Sequence, residues 1–349
     1  MSEDVWAEQD TTPDRIEAAL RELLRQRHAA NEQLAPARVL NLVVIVDREW
    51  KGEIANRLER VGRYHASRTV LCAVENARTT LDAVATVSYD EPKNGLGVIH
   101  ETVEIDCGPE HLLGLQTIVD PVLVGEIPTV VWSPHGHDEA VNALLGLMDV
   151  MLVDSDDLLE PADAFDRVHD LREYAYVVDL AWLRTTPWRE RLAASFDLPS
   201  RLAALHHISE LEIRHQERST ASGLLLAGWM ASRLNWQRTR LRGGLGMFTG
   251  SLGREEGETT VALRALEQES PGLVGVTVSS EEGTSLSLQR GFGGLDAAER
   301  NPDGELREWK ILGASRGEGG ILGEGVRQAL LRDPTYVGAL DAARELCPV

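Results

Sequence analysis

The chain has 349 residues with 56 acidic and 35 basic side chains, which gives a formal net charge of −21. Because nucleic acids and anionic membrane surfaces attract basic proteins, this charge argues against both as binding partners. At roughly 150 residues per domain the length predicts two domains, and a hydrophobic content of 43% supplies enough apolar side chains for their cores.

Cysteine usage and the N-terminus point to the compartment. Cys72, Cys107 and Cys347 are too few for a disulfide framework, and no CxxC pair is present for a zinc cluster. Cys72 falls in a predicted buried strand, whereas Cys347, near the C-terminus, is the candidate for a reactive thiol. The acidic N-terminus does not match a signal peptide, and no apolar run is long enough to span a bilayer. We therefore expect a soluble, cytoplasmic protein.

The first half of the chain has the pattern of a layered α/β domain. A helix is predicted from Pro13, and the apolar runs 38–46 and 69–74 are typical of strands buried on both faces. The helical segment 51–61 between them makes a βαβ unit, so the two strands should pair in parallel. Further strands are predicted at residues 81–89, 98–105, 129–132 and 148–153, and helices at residues 108–119 and 161–174.

The second half mixes helices with short strands, which is typical of an α+β domain. Helices are predicted at residues 182–195, 200–205, 219–234, 324–331 and 334–346. Strands are predicted at residues 259–265, 274–279, 284–289 and 306–312, after a glycine-rich stretch at 242–258. The sequence therefore predicts an α/β protein with two domains. Residues 1–178 form a layered α/β domain with a mixed sheet, and residues 179–349 form a smaller α+β domain.

Glycine-rich motifs give no support for a nucleotide site or a nucleophile. Neither G-x-G-x-x-G nor G-x-x-x-x-G-K-[ST] occurs, and the first strand–helix turn, residues 47–50, contains no glycine. Residues 313–317 match G-x-S-x-G around Ser315, but an α/β-hydrolase needs a histidine after the serine, and all 10 histidines precede it. We therefore predict no catalytic residue, no cofactor and no metal centre.

Two histidine groups and one acidic run contain residue types found in functional sites. Two imidazoles and a carboxylate make a common catalytic metal set. The first group is His135 with His137, in a loop, and the second is His206 and His207 with His215, on an extended segment. Both positions favour surface histidines over a metal site. The acidic residues between 154 and 170 favour a solvated helix face, with an acidic docking patch as the alternative.

The segment RYHASR, residues 63–68, joins the first crossover helix to the second strand. Loops in this position often present functional side chains. Arg63, His65 and Arg68 therefore form a candidate site for an anion or for a carboxylate of a partner. The alternative is a turn in which Ser67 caps the backbone and the arginines are solvated.

The segment AGWMASRLNW, residues 227–236, is the second distinctive feature. Gly228 and Ala231 would allow another helix to approach closely. Trp229 and Trp236 are seven positions apart, so they should share one helix face. Such a stripe is either core or interface, and tryptophan is enriched in interface hot spots.

Four segments, in order, resemble the glucose-6-phosphate dehydrogenase assembly proteins of the OpcA family. They are RVLNLVVIVD with GRYHASRTVL, then IPTVVWSP, LLLAGWMASRLNW and LLRDPTYVGAL. The resemblance covers the chain from about residue 35 to about residue 342. Two positions depart from the family pattern, because members typically have proline where this chain has Ala66 and often have a second tryptophan where it has Ser133.

The resemblance implies a non-catalytic assembly factor and allosteric activator of glucose-6-phosphate dehydrogenase, the NADP-dependent first enzyme of the oxidative pentose phosphate pathway. Its partner would be that enzyme, whose active oligomer it would favour. We expect the contact surfaces at Arg63, His65, Arg68, Trp229, Arg233 and Trp236.

Two rival functions remain open at the level of sequence. One is a sugar-phosphate hydrolase or lactonase of the same pathway that uses the Arg63–His65–Arg68 loop. The other is a scaffold without kinetic effect. The oligomeric state of the chain itself is not determined by its sequence.

Overall fold

A computed structural model describes residues 2–30, 38–62, 66–90, 98–197, 199–244, 246–313, 317–329 and 331–348. The chain divides into two compact units of nearly equal length. Unit 1 comprises Met1–Val153, Leu171–Val178 and Leu322–Leu331. Unit 2 comprises Asp154–Asp170, Asp179–Ile321 and Arg332–Val349. The chain passes from unit 1 to unit 2 between Val178 and Asp179, which is the position of the predicted domain boundary.

The described residues contain ten helices. They are α1 (Pro13–Ala30), α2 (Lys51–Gly62), α3 (Leu115–Val119), α4 (Asp138–Ala143), α5 (Pro161–Leu171), α6 (Leu180–Phe196), α7 (Pro199–Leu202), α8 (Thr220–Arg233), α9 (Gly317–Gln328) and α10 (Tyr336–Leu346). The predicted helix at 108–119 is a 3-10 segment, Pro109–Gly114, followed by α3. In α1, the apolar residues Ile16, Leu20 and Leu23 lie on one face and are buried, as the helical spacing predicts.

The first sheet belongs to unit 1 apart from the last residue of its final strand. Within the described residues its strands are β1 (Ser2–Glu8), β2 (Leu40–Asp47), β3 (Ser67–Val74), β4 (Asp82–Asp90), β5 (Val98–Cys107), β6 (Thr129–Trp132), β7 (Val150–Val153) and β8 (Tyr176–Asp179). Their order is β1-β4-β5-β3-β2-β6-β7-β8. β5, β3, β2, β6 and β7 are parallel, whereas β4 is antiparallel to both of its neighbours. The mixed α/β architecture is confirmed.

Burial explains why the central strands were predictable and the edge strands were not. β2 is buried on both faces and pairs in parallel with β3, from Leu40 opposite Ser67 to Asp47 opposite Val74, as predicted. β1 has an acidic sequence without a continuous apolar run, so it was not predicted. It is a strand because it pairs with β4 along its whole length at the edge of the sheet, where charged side chains are tolerated.

Unit 2 contains the second sheet. Its strands in the described residues are β9 (Ile208–Gln216), β10 (Arg242–Gly244), β11 (Met247–Gly253), β12 (Glu258–Leu266), β13 (Leu273–Ser280), β14 (Ser285–Gly291), β15 (Gly294–Arg300) and β16 (Leu306–Leu312). Their order is β10-β11-β12-β9-β13-β14-β15-β16, and every pair is antiparallel except β12 with β9. β11 and β15 were not predicted because their glycines and alanines have low strand propensity. Pairing with a strand on each side fixes them.

Close contact between α8 and α10 confirms the interpretation of Gly228. A Cβ atom at this glycine would lie 2.4 Å from the carbonyl oxygen of Ala339 and 2.7 Å from the backbone nitrogen of Ala343. The expectation that Trp229 and Trp236 share a helix face is wrong. α8 ends at Arg233, and Asn235 has a positive φ of 53°, so the chain leaves the helix axis before Trp236.

Three helices of unit 2 begin at aspartate side chains. Asp179 accepts hydrogen bonds from the backbone of Ala181 in α6 (2.9 Å) and from the Tyr336 hydroxyl of α10 (3.0 Å). Asp156 accepts from both the backbone nitrogen (3.0 Å) and the hydroxyl (2.6 Å) of Ser222 in α8. Just before α10, Asp333 accepts from the backbone of Thr335 at 2.8 Å. Carboxylates at helix N-termini satisfy free N–H groups and favour the helix dipole.

These contacts correct the interpretation as a solvated face for Asp154 and Asp156, whereas the acidic residues between positions 160 and 170 are exposed, as predicted. Asp154 and Asp156 have side chains only 8% and 7% exposed, because they pack against Arg184. Arg184 donates two hydrogen bonds to Asp154, at 2.7 and 2.6 Å. Burial, with the nearby charge of Asp154, raises the pKa of Asp156 to about 7. Burial also raises the pKa of Asp179 to about 6, against the hydrogen bonds from Ser155.

The raised pKa values predict that unfolding depends on pH in a defined direction. In the unfolded chain an aspartate ionises near pH 4, roughly, so the folded state holds these protons more tightly. The contribution of these aspartates to the free energy of unfolding should be highest below that pH and should fall as the pH rises towards about 7, the pKa of Asp156. Asp156→Asn keeps an acceptor for Ser222 and should flatten this fall by up to about 1.4 kcal/mol per pH unit. Urea unfolding across this pH range measures it.

The matched control is Asp170→Asn, because Asp170 is exposed in the same acidic run. This variant should keep the pH dependence of the natural chain. An equal slope in the Asp156 variant and the natural chain would contradict the assignment of a bound proton to Asp156.

The approach of α8 to α10 predicts that Gly228→Ala destabilises unit 2. The added methyl group would overlap backbone atoms, so we expect a loss of about 1–3 kcal/mol in the free energy of unfolding. Gly52→Ala in α2 is the control, because no atom lies within 4 Å of a Cβ there. It should be neutral or stabilising by about 0.5–1 kcal/mol. Equal effects of the two substitutions in denaturant titrations would refute the close contact.

Candidate functional site

Arg68, one of the predicted partner-binding residues, is held in a buried ion pair on β3. Its Nε donates to Glu101 at 2.7 Å, and its Nη1 donates to the carbonyl of Val122 at 2.9 Å. Glu101, which is 2% exposed, also accepts from Nε of Arg38 at 2.5 Å. Arg68 is only 9% exposed, so its guanidinium is committed inside unit 1. Arg63 and His65, and also Ser315, lie outside the described residues.

A groove lies beside the start of β3, on the sheet face next to α2. It has a volume of about 360 Å³ and is lined mainly by hydroxyl groups and by Glu3, Glu59, Glu101 and Glu104. Among the described residues its lining includes no arginine or lysine. A phosphate-binding pocket needs convergent positive charge. The lining therefore gives no support to a sugar-phosphate hydrolase at this position.

The structure brings His135 and His137 together with Asp47, which the sequence did not connect to them. The Asp47 backbone donates to Nδ1 of His135 at 3.0 Å, and Nε2 of His137 lies 3.1 Å from Oδ1 of Asp47. The ring of Trp50 contacts that of His135, with 5.9 Å between centroids. Burial lowers the pKa of His135, and the charge of Asp47 opposes the shift. We call Asp47, Trp50, His135 and His137 the switch-point cluster.

The position of the switch-point cluster follows from the strand order. Asp47 ends β2, and His135 follows β6; these are adjacent parallel strands. From β2 the chain crosses to β3 on one side and later returns to β6 on the other. Ligands of open α/β sheets bind in the crevice at such a switch point. A polar residue directly after a fully buried strand was the sequence signal that could have identified Asp47.

The second histidine group is not assembled into a site. His206 is exposed, and Nδ1 of His207 lies 3.8 Å from Glu281. His215 is 1% exposed on β9, so the interpretation as a surface histidine is wrong for it. Its Nδ1 lies 2.9 Å from the carbonyl of Gln216, and burial lowers its pKa. In the described part of the chain, no group of three or more His, Cys, Asp or Glu side chains has the geometry to hold a metal ion.

The tryptophan segment offers a smaller surface than the sequence suggested. Trp236 is 3% exposed and belongs to the core of unit 2, while Trp229 is half-buried on α8. Arg233, at the end of α8, is exposed. Of these three predicted partner-binding residues, Arg233 and part of Trp229 are on the surface.

All three cysteines are free and buried. Burial raises the pKa of Cys107 to about 11 and that of Cys347 to about 12, and it raises the pKa of Cys72 as well. Because the thiolate is the reactive form, these thiols are poor nucleophiles in the folded chain. The prediction of Cys347 as the candidate for a reactive thiol is therefore wrong. α10 continues to Leu346 and holds the following cysteine against unit 2, where it is 7% exposed.

A further cavity, also of about 360 Å³, lies in unit 2 beside the C-terminal end of α6. Its lining mixes polar side chains with apolar ones, which include Phe196, Ile208 and Leu286. Arg201 and Glu299 form an ion pair of 2.8 Å at its side. Across the described residues, no helix is long and apolar enough to cross a membrane.

Curated relatives align with up to about two fifths of the chain. A protein of Synechococcus elongatus named as an OxPP cycle protein OpcA is 31% identical over 146 residues, 41% of this chain and 33% of the relative. A protein of the same name from Nostoc punctiforme is 32% identical over 124 residues, 34% of this chain and 27% of the relative. The chain thus spans about a third or less of the length of the curated relatives that it matches.

Among solved structures, an oxidoreductase from Sinorhizobium meliloti aligns with 88% of this chain and 95% of its own chain. The TM-score is 0.49 and the sequence identity is 11%. No conclusion about fold or function follows from a likeness at this level.

Two family models match the chain in sequence order. The first, described as a glucose-6-phosphate dehydrogenase subunit N-terminal domain, matches residues 58–170. The second, described as the C-terminal domain of the same subunit, matches residues 175–340. Together they span about four fifths of the chain, which therefore belongs to the OpcA family of glucose-6-phosphate dehydrogenase assembly proteins.

Proposed function

We propose that this chain is a non-catalytic assembly factor and allosteric activator of glucose-6-phosphate dehydrogenase. It binds that enzyme in the cytoplasm and favours its active oligomer in the oxidative pentose phosphate pathway. The observation that carries the proposal is the pair of family matches, because both are described as domains of a dehydrogenase subunit and together extend from residue 58 to residue 340.

The geometry of unit 1 supports a binding role over nucleotide chemistry. A dinucleotide-binding protein has glycines in the first strand–helix turn so that the pyrophosphate can approach the backbone. At that turn this chain has Asp47 and Trp50, whose contacts are with His135 and His137. Arg68, the described member of the predicted anion-binding loop, is committed to Glu101. These side chains are used to hold unit 1 together.

The mechanism is thermodynamic linkage. A partner that binds the active form of an enzyme better than the inactive form shifts the equilibrium by its differential affinity. A coupling of ~1–3 kcal/mol changes substrate affinity or the active fraction by ~5–150-fold. Linkage is reciprocal, so glucose 6-phosphate or NADP should tighten the complex. A complex whose affinity is unchanged at saturating ligand would rule out activation by this route.

The direct test is NADPH production by the cognate dehydrogenase with this chain at increasing molar ratio. We expect a saturable rise in rate or fall in KM, and no NADPH from this chain alone. Complex formation should be verified by ultracentrifugation. If the complex forms but the rate stays constant across the whole titration, the chain is a scaffold without kinetic effect.

Arg233→Glu tests the predicted surface without affecting the core, because Arg233 is exposed. It should raise the concentration of this chain that gives half of the full effect. The matched control is Arg218→Glu, an exposed arginine just before α8 that the predicted surface does not include. Equal effects of the two variants would show that the chain's overall charge, rather than this surface, governs binding.

The buried cysteines predict that activation does not depend on thiol oxidation. The native chain should react slowly with a thiol reagent such as Ellman's reagent, whereas three thiols should react after unfolding in guanidinium. Activation should be the same after treatment with oxidant or reductant. Rapid labelling of a thiol in the native chain would contradict the burial that the structure gives to these residues.

A further inference from the structure

One face of the second sheet is turned away from the helix layer. On the other face, α8 lies against β9 and β12, where a Cβ at Gly223 would be 3.1 Å from His215 and 3.2 Å from Leu263. The side chains that alternate with those two residues point the opposite way. We call this opposite side the open face. One row of it crosses every strand of the sheet: Arg242, Thr249, Ala262, Glu212, Thr277, Ser287, Ala298 and Glu308.

Few long side chains project from the middle of the open face. Its middle is formed by short side chains such as Thr277, Ser287 and Ala298, which are half-exposed. The longer Arg214 side chain lies across the neighbouring strand instead of pointing outward. Its Nη2 would be only 2.5 Å from a Cβ atom at Gly275. Its Nη2 donates to the Thr277 hydroxyl at 3.3 Å. A surface of short side chains allows a second sheet to pack on it face to face.

The open face is neutral, although the chain carries a net charge of −21. Its acidic residues are Glu210, Glu212, Glu258, Asp296 and Glu308. They are matched by five bases, which are Arg214, Arg242, Arg264, Arg300 and Lys310. The excess negative charge therefore lies elsewhere on the chain. A second copy can approach this face without facing a surface of net like charge, and charge complementarity of this kind selects partners and orientation.

The open face is also self-complementary. A two-fold axis parallel to the strands and midway between β9 and β13 would place β9 of one copy opposite β13 of the other, and β12 opposite β14. Glu212 would then face the uncharged Thr277, and Arg264 would face Gln289. At the two ends of the same row, Arg242 would face Glu308 of the other copy. Each charged group meets a neutral or opposite one, as an isologous interface requires.

The size of the open face suits a stable dimer. Strands β9 and β11 to β16 have at least 7 residues each. With strands about 4.8 Å apart and about 3.4 Å per residue, they cover about 800 Å². That is about the area that one partner contributes to a standard protein interface.

We propose that the open face is the interface of a two-fold symmetric dimer of this chain. The charge balance, the matching rows and the area together favour a second copy as its occupant. This proposal stands independently of the proposed effect on the dehydrogenase.

The test is sedimentation equilibrium of the full chain and of Ser287→Arg. The long side chain would separate the two sheets at their centre, so we expect at least ~10-fold weaker dimerisation. Ser287→Ala keeps the side chain short and should dimerise like the natural chain. The matched control is Ser270→Arg, because Ser270 is exposed outside the open face, before β13. Circular dichroism should show that all four proteins are folded.

A charge exchange tests the register of the two copies. Arg242→Glu and Glu308→Arg should each weaken the dimer several-fold, because each places like charges opposite one another at both ends of the row. The double variant should recover most of the loss, since opposite charges again face each other. Additive losses in the double variant would overturn the proposed axis.

Three outcomes would overturn the dimer itself. The first is a chain that stays monomeric up to about 100 µM, a concentration at which a standard interface is populated. The second is a dimer that is equally stable in the Ser287→Arg and Ser270→Arg variants. The third is a monomer whose effect on the dehydrogenase is lost in Ser287→Arg, because the occupant of the open face would then be that enzyme.

Discussion

Unit 2 depends on carboxylates that sit at the beginnings of its helices. Asp156, Asp179 and Asp333 each accept backbone N–H groups at the start of α8, α6 or α10. Since the first N–H groups of a helix have no partner within it, Asp179 and Asp156 satisfy such groups in α6 and α8, while Asp333 holds Thr335, the residue in front of α10. The position of α8 then follows, and α8 covers one side of the second sheet. The side it leaves free is the open face.

In unit 1, polar side chains join elements of the first sheet through hydrogen bonds and ion pairs. The Arg38–Glu101–Arg68 cluster is buried, and the switch-point cluster ties the end of β2 to the loop after β6. Removing one member of a buried ion pair leaves an uncompensated charge, so such groups are costly to change. Arg68, His135 and His137 were candidate site residues in the sequence. In the structure, their side chains make contacts within unit 1.

The charge distribution links the fold to the proposed role. A chain with a net charge of −21 repels copies of itself and other acidic proteins over distances of about a Debye length, ~8–10 Å. Stable association therefore needs a surface where charges are balanced. The open face of unit 2 meets that requirement through residues that are far apart in sequence but adjacent in the sheet. An activator works by differential binding, so a defined contact surface is the property its structure must supply.

Local sequence determined the helices and the buried strands, because hydrophobic periodicity and caps act over a few residues. The parallel pairing of β2 with β3 and the helix-contact role of Gly228 followed from that information, and four ordered segments identified the family. Tertiary structure decided the rest. β1, β11 and β15 are strands only because neighbours pair with them, and Trp236 leaves the face of α8 because the helix ends at Arg233 and the chain turns at Asn235. Asp47 meets His135 from 88 positions away, and Arg68 meets Glu101 from 33 positions away. Burial, ion pairing and pKa depend on such distant partners, so only the folded chain could determine which charged residues are free to bind.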